Sequence, residues 1–349
     1  MSAFGAADAY ELVEMLDGMR ESASGKAATR PLPDTVDFDD QRLRHISSDF
    51  IVATPALRQI QHSIALARQR NAFANFGRGM VLLSGEAGTG KTTALVAAAQ
   101  TCITESRRDH PDVRLPVLFI DAPAGATPKS VMMTLLRALR LAVPRAMTTP
   151  EMTDLVVAHA NEQGVQMIVV DELHNLSDNR RSTVDAANTL KVLSNQVRAT
   201  FVYSGIGIDS GELLSGPHGN QISGRSVAHS LAPSVPTNKD GAAQWMGLIR
   251  AFETQLLLRD HPAGTLAPLG EYLLARTAGY IGALRQLLVD AAISIITEHR
   301  AALIGGTPSG RLERITKADL EKVRVDLRSE RQAVAAVKSR KPDSGGRAK

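Results

Sequence analysis

The chain has 349 residues, enough for two domains or for one large domain with appendages. Hydrophobic residues make up 44%, which supports a sizeable core, while aromatics at 4% argue against base stacking as the main grip on single-stranded nucleic acid. A formal charge of +4 permits a polyanionic partner, and the single cysteine, Cys102, excludes a disulfide framework or a Cys-based zinc site within one chain.

Residues 1–45 read as an acidic arm, partly disordered, with nine acidic residues against five Arg or Lys. Within it, "AYELVEMLDGMRE" can form a short amphipathic helix with Leu12, Met15, Leu16 and Met19 on one face. A docking helix and a frayed terminus are both open readings. The acidic start lacks the pattern of a secretory signal, and no stretch approaches the ~18 apolar residues of a membrane span. With the lone thiol read as buried filler, the expectation is a soluble, cytoplasmic protein with no membrane partner.

"TPALRQIQHSIALARQR" begins with Thr54 as N-cap and Pro55 in the first turn, so it reads as a helix leading into the strand "GMVLLSG". A glycine loop and a helix from Lys91 to about Thr104 follow. Strands are then expected in "VRLPVLFIDAP", "VQMIVVDE" and "TFVYSGIG". They alternate with helices in "TPKSVMMTLLRALRL", "EMTDLVVAHANEQG" and "TVDAANTLKVLSNQVRA". Continuous apolar strands alternating with helices imply a parallel sheet covered on both faces. The stretch "GPHGNQISGRSVAHSLAP" reads as a polar, glycine-rich connection closing a core over residues 46–232. Only helices are expected from there to residue 327: an α/β core followed by a helical lid. Residues 328–349 hold seven basic residues against two acidic and read as a disordered basic tail.

The stretch from Gly85 through Glu86, Ala87, Gly88, Thr89, Gly90 and Lys91 to Thr92, with Thr93 after it, fits the phosphate-loop pattern at every fixed position. Glycines let successive amides turn toward a phosphate, and the next helix adds its positive end. Lys91 is placed to reach the β- and γ-phosphates of ATP, and Thr92 to ligate Mg²⁺. Asp171 ends a buried strand, where a carboxylate can join the Mg²⁺ shell, and Glu172 beside it can polarise the attacking water. Ser204, at the end of the next strand, is the candidate γ-phosphate sensor; Asn175 is either a second sensor or a helix N-cap. Arg225 is the candidate arginine finger for a neighbouring subunit, and Arg285 the candidate lid arginine. His174 in "DELH" invites a helicase reading, but no second core or further helicase motif is visible. The nine histidines show no HExxH spacing.

Taken together, "LLSGEAGTGKTTAL", "MIVVDELHNL", "NTLKVLSNQVRATFVYSGI", "SLAP" and "TAGYIGALRQLL" resemble the AAA+ ATPases of the TniB/TnsC transposition-regulator family, relatives of MuB. The resemblance runs from about His45 to Leu327, and "DELHNL" with the helix after it is its more specific part. It implies a P-loop AAA+ parallel-sheet core with a C-terminal helical lid, and Mg²⁺-dependent hydrolysis of ATP. It also implies sequence-independent binding of double-stranded DNA and head-to-tail assembly into a ring or helical filament. An integrase-type transposase would be recruited or activated, and hydrolysis would drive disassembly. Lys129 and Lys191 are candidate DNA contacts under this reading. This chain departs from the usual Gly-Thr at the end of the fourth strand, where it has Ser204 and Gly205. Alternatives are another AAA+ switch, such as a helicase loader or a defence-system regulatory ATPase, or a scaffold that binds ATP with little turnover.

Overall fold

Four strands form where apolar runs end in glycine or aspartate, β1 (Met80–Gly85), β2 (Val117–Asp121), β3 (Met167–Asp171) and β4 (Thr200–Gly205), and a fifth, β5 (Ser226–Leu231), is half polar. The computed structural model describes residues 10–11, 13–16, 41–48, 50–143, 146–175, 180–209, 223–305 and 311–325. In chain order the helices of the described residues are α1 (Gln41–Ser47), α2 (Pro55–Ala72), α3 (Lys91–Asp109), α4 (Pro128–Ala138), α5 (Thr149–Glu162), α6 (Arg180–Gln196), α7 (Lys239–Glu253), α8 (Gly270–Thr277), α9 (Ile281–Ile304) and α10 (Lys317–Lys322). Two compact units result: Met1–Gly25 with Pro55–Leu231, and Lys26–Thr54 with Ala232–Lys349.

The first unit is an α/β layer structure. Its strands run in the order β2-β3-β4-β1-β5, with every pairing parallel. β3 and β4 are buried along their whole length, as parallel strands under helices on both faces must be. Helix starts follow the local chemistry. Thr127 caps α4 and Thr148 caps α5, each in a reciprocal capping box, with Ser130 and Glu151 as the respective third residues. α3 runs to Asp109, five residues beyond the expected end at Thr104.

The sequence reading is corrected at β5. "SVAHSL" was expected to lie in a connection but pairs with β1 from Met80↔Ser226 to Gly85↔Leu231. It is an edge strand, partly exposed and half polar, so it lacks the apolar run that marks the other four strands of the sheet. A smaller correction falls on the N-terminal segment. Residues 10–11 and 13–16 are helical, with Val13 and Leu16 buried, whereas Met15 is 45% exposed. Tyr10 donates to Gln163 Oε1 at 3.2 Å, and the Arg140 guanidinium lies 4.8 Å from its ring. This docking face therefore excludes Met15; Leu12 and Met19, like the basic tail at 328–349, lie outside the described residues.

The second unit is helical. Trp245, Ile249 and Phe252 of α7 pack with Leu284, Leu288 and Ile295 of α9, and with Ile46 of α1. Among the described residues no single helix is long and apolar enough to cross a membrane. Two buried polar clusters lock the unit. Arg42 Nη1 of α1 meets Glu313 Oε2 at 2.6 Å, with both side chains almost fully buried. Removing one partner of such a pair costs about 3–5 kcal/mol. Glu253 accepts from the amides of Gly264 at 2.7 Å and Leu266 at 2.8 Å. It also accepts from His261 Nε2 at 2.9 Å.

The Ile315 amide donates to His261 Nδ1 at 3.2 Å, so the ring is neutral with its hydrogen on Nε2. Burial pulls this histidine below its ordinary value of 6.5, with the Glu253 carboxylate opposing. Above about pH 7 the ring is neutral in the folded and unfolded states alike. Below about 6.5 the unfolded chain takes up a proton that the folded unit resists, so stability falls as the pH falls. The expected outcome is a lower urea midpoint at about pH 5.5 than at about pH 7.5, followed by the fluorescence of the sole tryptophan, Trp245. In His261→Gln the drop should shrink; an equal drop in both proteins would exclude this histidine as its source.

Candidate nucleotide site

The loop after β1 is shaped by backbone demands that only glycine meets. Gly88 has φ +80° and Gly90 φ +95°, both left-handed. Gly85 is constrained by space instead: a Cβ there would stand 2.6 Å from Leu231 O and 2.9 Å from Thr89 Oγ1. Thr89 donates to Glu86 O at 2.7 Å and ties the loop across itself. α3 then starts with no side-chain cap and no acidic residue in its first turn. Its leading amides are thus served by no side chain of their own, which is the arrangement that receives an anion. Lys91 Nζ donates to Gly85 O at 2.7 Å and to Glu86 O at 3.0 Å. Its ammonium group is held against the loop that the helix dipole serves. Glu86, Ala87 and Gly88 are exposed along the rim, as is Thr93 one residue beyond Thr92.

The strand order decides what faces this loop. β4 lies between β1 and β3, so the ends of three adjacent strands carry Gly85, Ser204 or Gly205, and Asp171. Thr92 Oγ1 lies 3.2 Å from Asp171 Oδ2, which brings together residues expected to share a metal ion. Asp171 is 2% exposed, and its Oδ1 accepts from the Glu172 amide at 2.8 Å. A buried carboxylate with a hydroxyl beside it suits a hard cation such as Mg²⁺, which takes one or two protein oxygens and completes its shell with phosphate and water. Among the described residues no group of three or more His, Cys, Asp or Glu could hold a metal without such help.

Glu172 adopts φ +55°, a left-handed conformation that costs a non-glycine residue on the order of 1–3 kcal/mol. The turn it starts, Leu173–Asn175, places His174 Nε2 3.2 Å from Glu172 Oε2. Asn175 fastens this turn to β2: its Nδ2 donates to Ala122 O at 3.0 Å. Ser204 is fully buried, and its hydroxyl has no hydrogen-bond partner among the described residues.

Each remaining candidate is placed within its own unit. Arg225 precedes β5, at the end of the sheet opposite the loop, and its backbone oxygen accepts from the Met80 amide. Six residues of strand separate it from Leu231, which is paired with Gly85, a span of roughly 20 Å at ~3.3 Å per residue. It is exposed, and Nη1 donates to Asn195 Oδ1 at 2.9 Å. Arg285 belongs to the helical unit, where it donates to Ser48 O at 2.7 Å and lies 5.3 Å from the Phe50 ring. Lys129 is exposed in the first turn of α4, and Lys191 is half-buried on α6. Cys102 is buried in α3, with its thiol pushed up to about 12 by desolvation, consistent with filler.

Two contacts escaped the sequence reading. Ser84 donates to Asp209 Oδ1 at 2.6 Å, a link with no sequence signature. His174 was noted for its "DELH" setting, but its contact with Glu172 depends on a left-handed backbone that the residue types do not announce.

This sheet order, with a phosphate loop after its first strand and an acidic pair ending its third, defines a P-loop protein of the AAA+ class. Residues 42–214 match the model of the TniB family, described as bacterial TniB protein. No match is found among curated proteins. The fold is similar to that of the ORC1 protein of Aeropyrum pernix, solved in complex with DNA (TM-score 0.54, 18% identity, 84% of this chain and 69% of that one). It is also similar to Drosophila ORC bound to DNA (0.54, 14%, 88% and 72%) and to Cdc6p from Pyrobaculum aerophilum (0.51, 16%, 83% and 70%). At such identities the likeness extends to the fold alone.

Two substitutions test the site. Lys91→Ala should weaken binding of a fluorescent ATP analogue by about tenfold or more, since it removes a charge-assisted contact to phosphate. Gly85→Ala should lower the thermal midpoint as well as the affinity, because its Cβ meets backbone oxygen. Unchanged affinity in Lys91→Ala would remove the loop from the site.

Proposed function

We propose that this protein is a Mg²⁺-dependent ATPase that binds double-stranded DNA without regard to sequence and assembles on it head to tail. In that state it recruits or activates an integrase-type transposase, and hydrolysis releases the assembly. The observation that carries the ATPase reading is the meeting of Thr92 and Asp171 at 3.2 Å, with Glu172 next in the chain.

In this reading Lys91 and the amides of the loop hold the phosphates, and Thr92 and Asp171 hold the cation. Bound Mg²⁺ would offset the charge that develops on the phosphates. Glu172 orients a water molecule toward the γ-phosphorus; the bond to the bridging oxygen breaks, and ADP and phosphate leave. Ser204 is suited to sense the γ-phosphate, because an unpaired buried hydroxyl costs about 1–3 kcal/mol and a ligand oxygen would relieve that cost. Arg225 lies too far from its own loop to act within one chain, so the reading assigns it to the neighbour's nucleotide. Arg285 remains the candidate lid arginine.

The match of residues 42–214 to the TniB family model supports the transposition role. The DNA bound to two proteins of the same fold supports the DNA role. With few aromatics available, the contacts fall to Lys129, Lys191 and the basic residues at 328–349, through phosphates rather than base edges.

Glu172→Gln should slow hydrolysis by about 10²–10⁴-fold while leaving nucleotide binding intact, and should prolong the DNA-bound state. Loss of assembly in this variant would remove Glu172 from the role of base. With a non-hydrolysable ATP analogue and duplex DNA, electron microscopy should show rings or filaments. Binding should weaken with added salt, with a log–log slope of about −0.9 for each phosphate contacted. Monomers alone under these conditions would overturn the assembly reading.

A further inference from the structure

The partner that the structure gives the Glu172 carboxylate is His174, whose Nε2 lies 3.2 Å from Oε2. The second ring nitrogen is also engaged: the Ile206 amide lies 3.2 Å from Nδ1. A backbone N–H can only donate, so Nδ1 accepts and carries no hydrogen. The one hydrogen of the neutral ring is therefore on Nε2, the nitrogen that lies 3.2 Å from Glu172 Oε2. Two contacts on opposite sides of the ring set its orientation and its tautomer together.

Ile206 belongs to the chain just beyond β4, two residues after Ser204. The turn carrying His174 is pressed against that strand end. A Cβ on Gly205 would stand 2.8 Å from Ile208 Cγ2, 3.0 Å from the His174 nitrogen and 3.2 Å from the Leu173 nitrogen. With so little slack, a shift at the end of β4 is passed to the ring through the Ile206 amide, and from the ring to the carboxylate. The left-handed backbone of Glu172 at φ +55° is the strained conformation expected where surrounding contacts hold a side chain to a task.

The geometry points to His174 as a positioning residue that ties the Glu172 carboxylate to the strand end bearing Ser204. Oε2 lies against the imidazole and Oε1 serves the water, so the base is aimed when the end of β4 is in its nucleotide-engaged place. This inference rests on the ATPase reading of the same site and adds to it a link between the γ-phosphate sensor and the base. His174 itself touches neither nucleotide nor water in this scheme.

The test uses the full chain with Mg²⁺, ATP and duplex DNA, and compares wild type with three variants. His174→Ala removes both arms. His174→Gln keeps a donor at the Nε2 position and gives up the close acceptor for Ile206. His174→Asn keeps an acceptor at the Nδ1 position and is too short to reach Glu172. The expected result is that kcat falls by about ten- to a hundredfold in Ala and Asn, with KM and nucleotide affinity within about twofold of wild type. Gln should restore most of the rate. If His174 only holds the turn in shape, Asn should rescue better than Gln, and affinity should fall together with kcat; either result overturns the inference. An unchanged or raised kcat in Ala overturns it as well. Absence of hydrolysis in the wild type would overturn the ATPase reading itself, and this inference with it.

Discussion

Everything at the candidate site depends on the insertion of β4 between β1 and β3. Parallel neighbours sit about 4.8 Å apart, so this order opens a gap of two strand spacings between the phosphate loop and Asp171. Thr92, at the start of α3, closes the gap from the loop side to within 3.2 Å of the carboxylate. Were β1 and β3 adjacent, no strand end would stand between the loop and the acidic pair. Ser204 would then not end a strand between them.

The same insertion explains the density of contacts around Glu172. Its carboxylate, the His174 ring and the Ile206 amide form a short line that runs from β3 to β4. Asn175 continues the line to β2 through Ala122 O. Three strand ends are thus bound by side chains from one turn of three residues. A rigid turn above a flat row of strand ends is the kind of support that holds reactive groups to sub-ångström tolerance.

What the residues declared in advance follows from how strongly each element is over-determined. β1, β3 and β4 are apolar and covered, so their type and place were plain in "MVLLSG", "MIVVD" and "TFVYSG". The phosphate loop was equally plain, because only glycine accepts φ near +80° to +95° without strain. β5 was not, because an edge strand needs to bury only one side and "SVAHSL" is half polar. Met15 was placed on the wrong face of a helix, since two apolar positions decide little until a partner surface exists. The Glu172–His174 contact hinges on one backbone dihedral, and no residue type in "DELH" encodes it.

Arg225 and the phosphate loop lie at opposite ends of the same pair of strands, β1 and β5. Under the proposed head-to-tail assembly, an open row that joins one to the other would be polar. Its two ends would differ: one terminal copy would offer an arginine to nothing, and the opposite terminal copy would hold a nucleotide that no arginine serves. Catalytic speed would then become a property of position in the row rather than of the chain. The copy at the unserved end would keep its ATP longest, and the row would be consumed from the inside and from the other end before that last member let go.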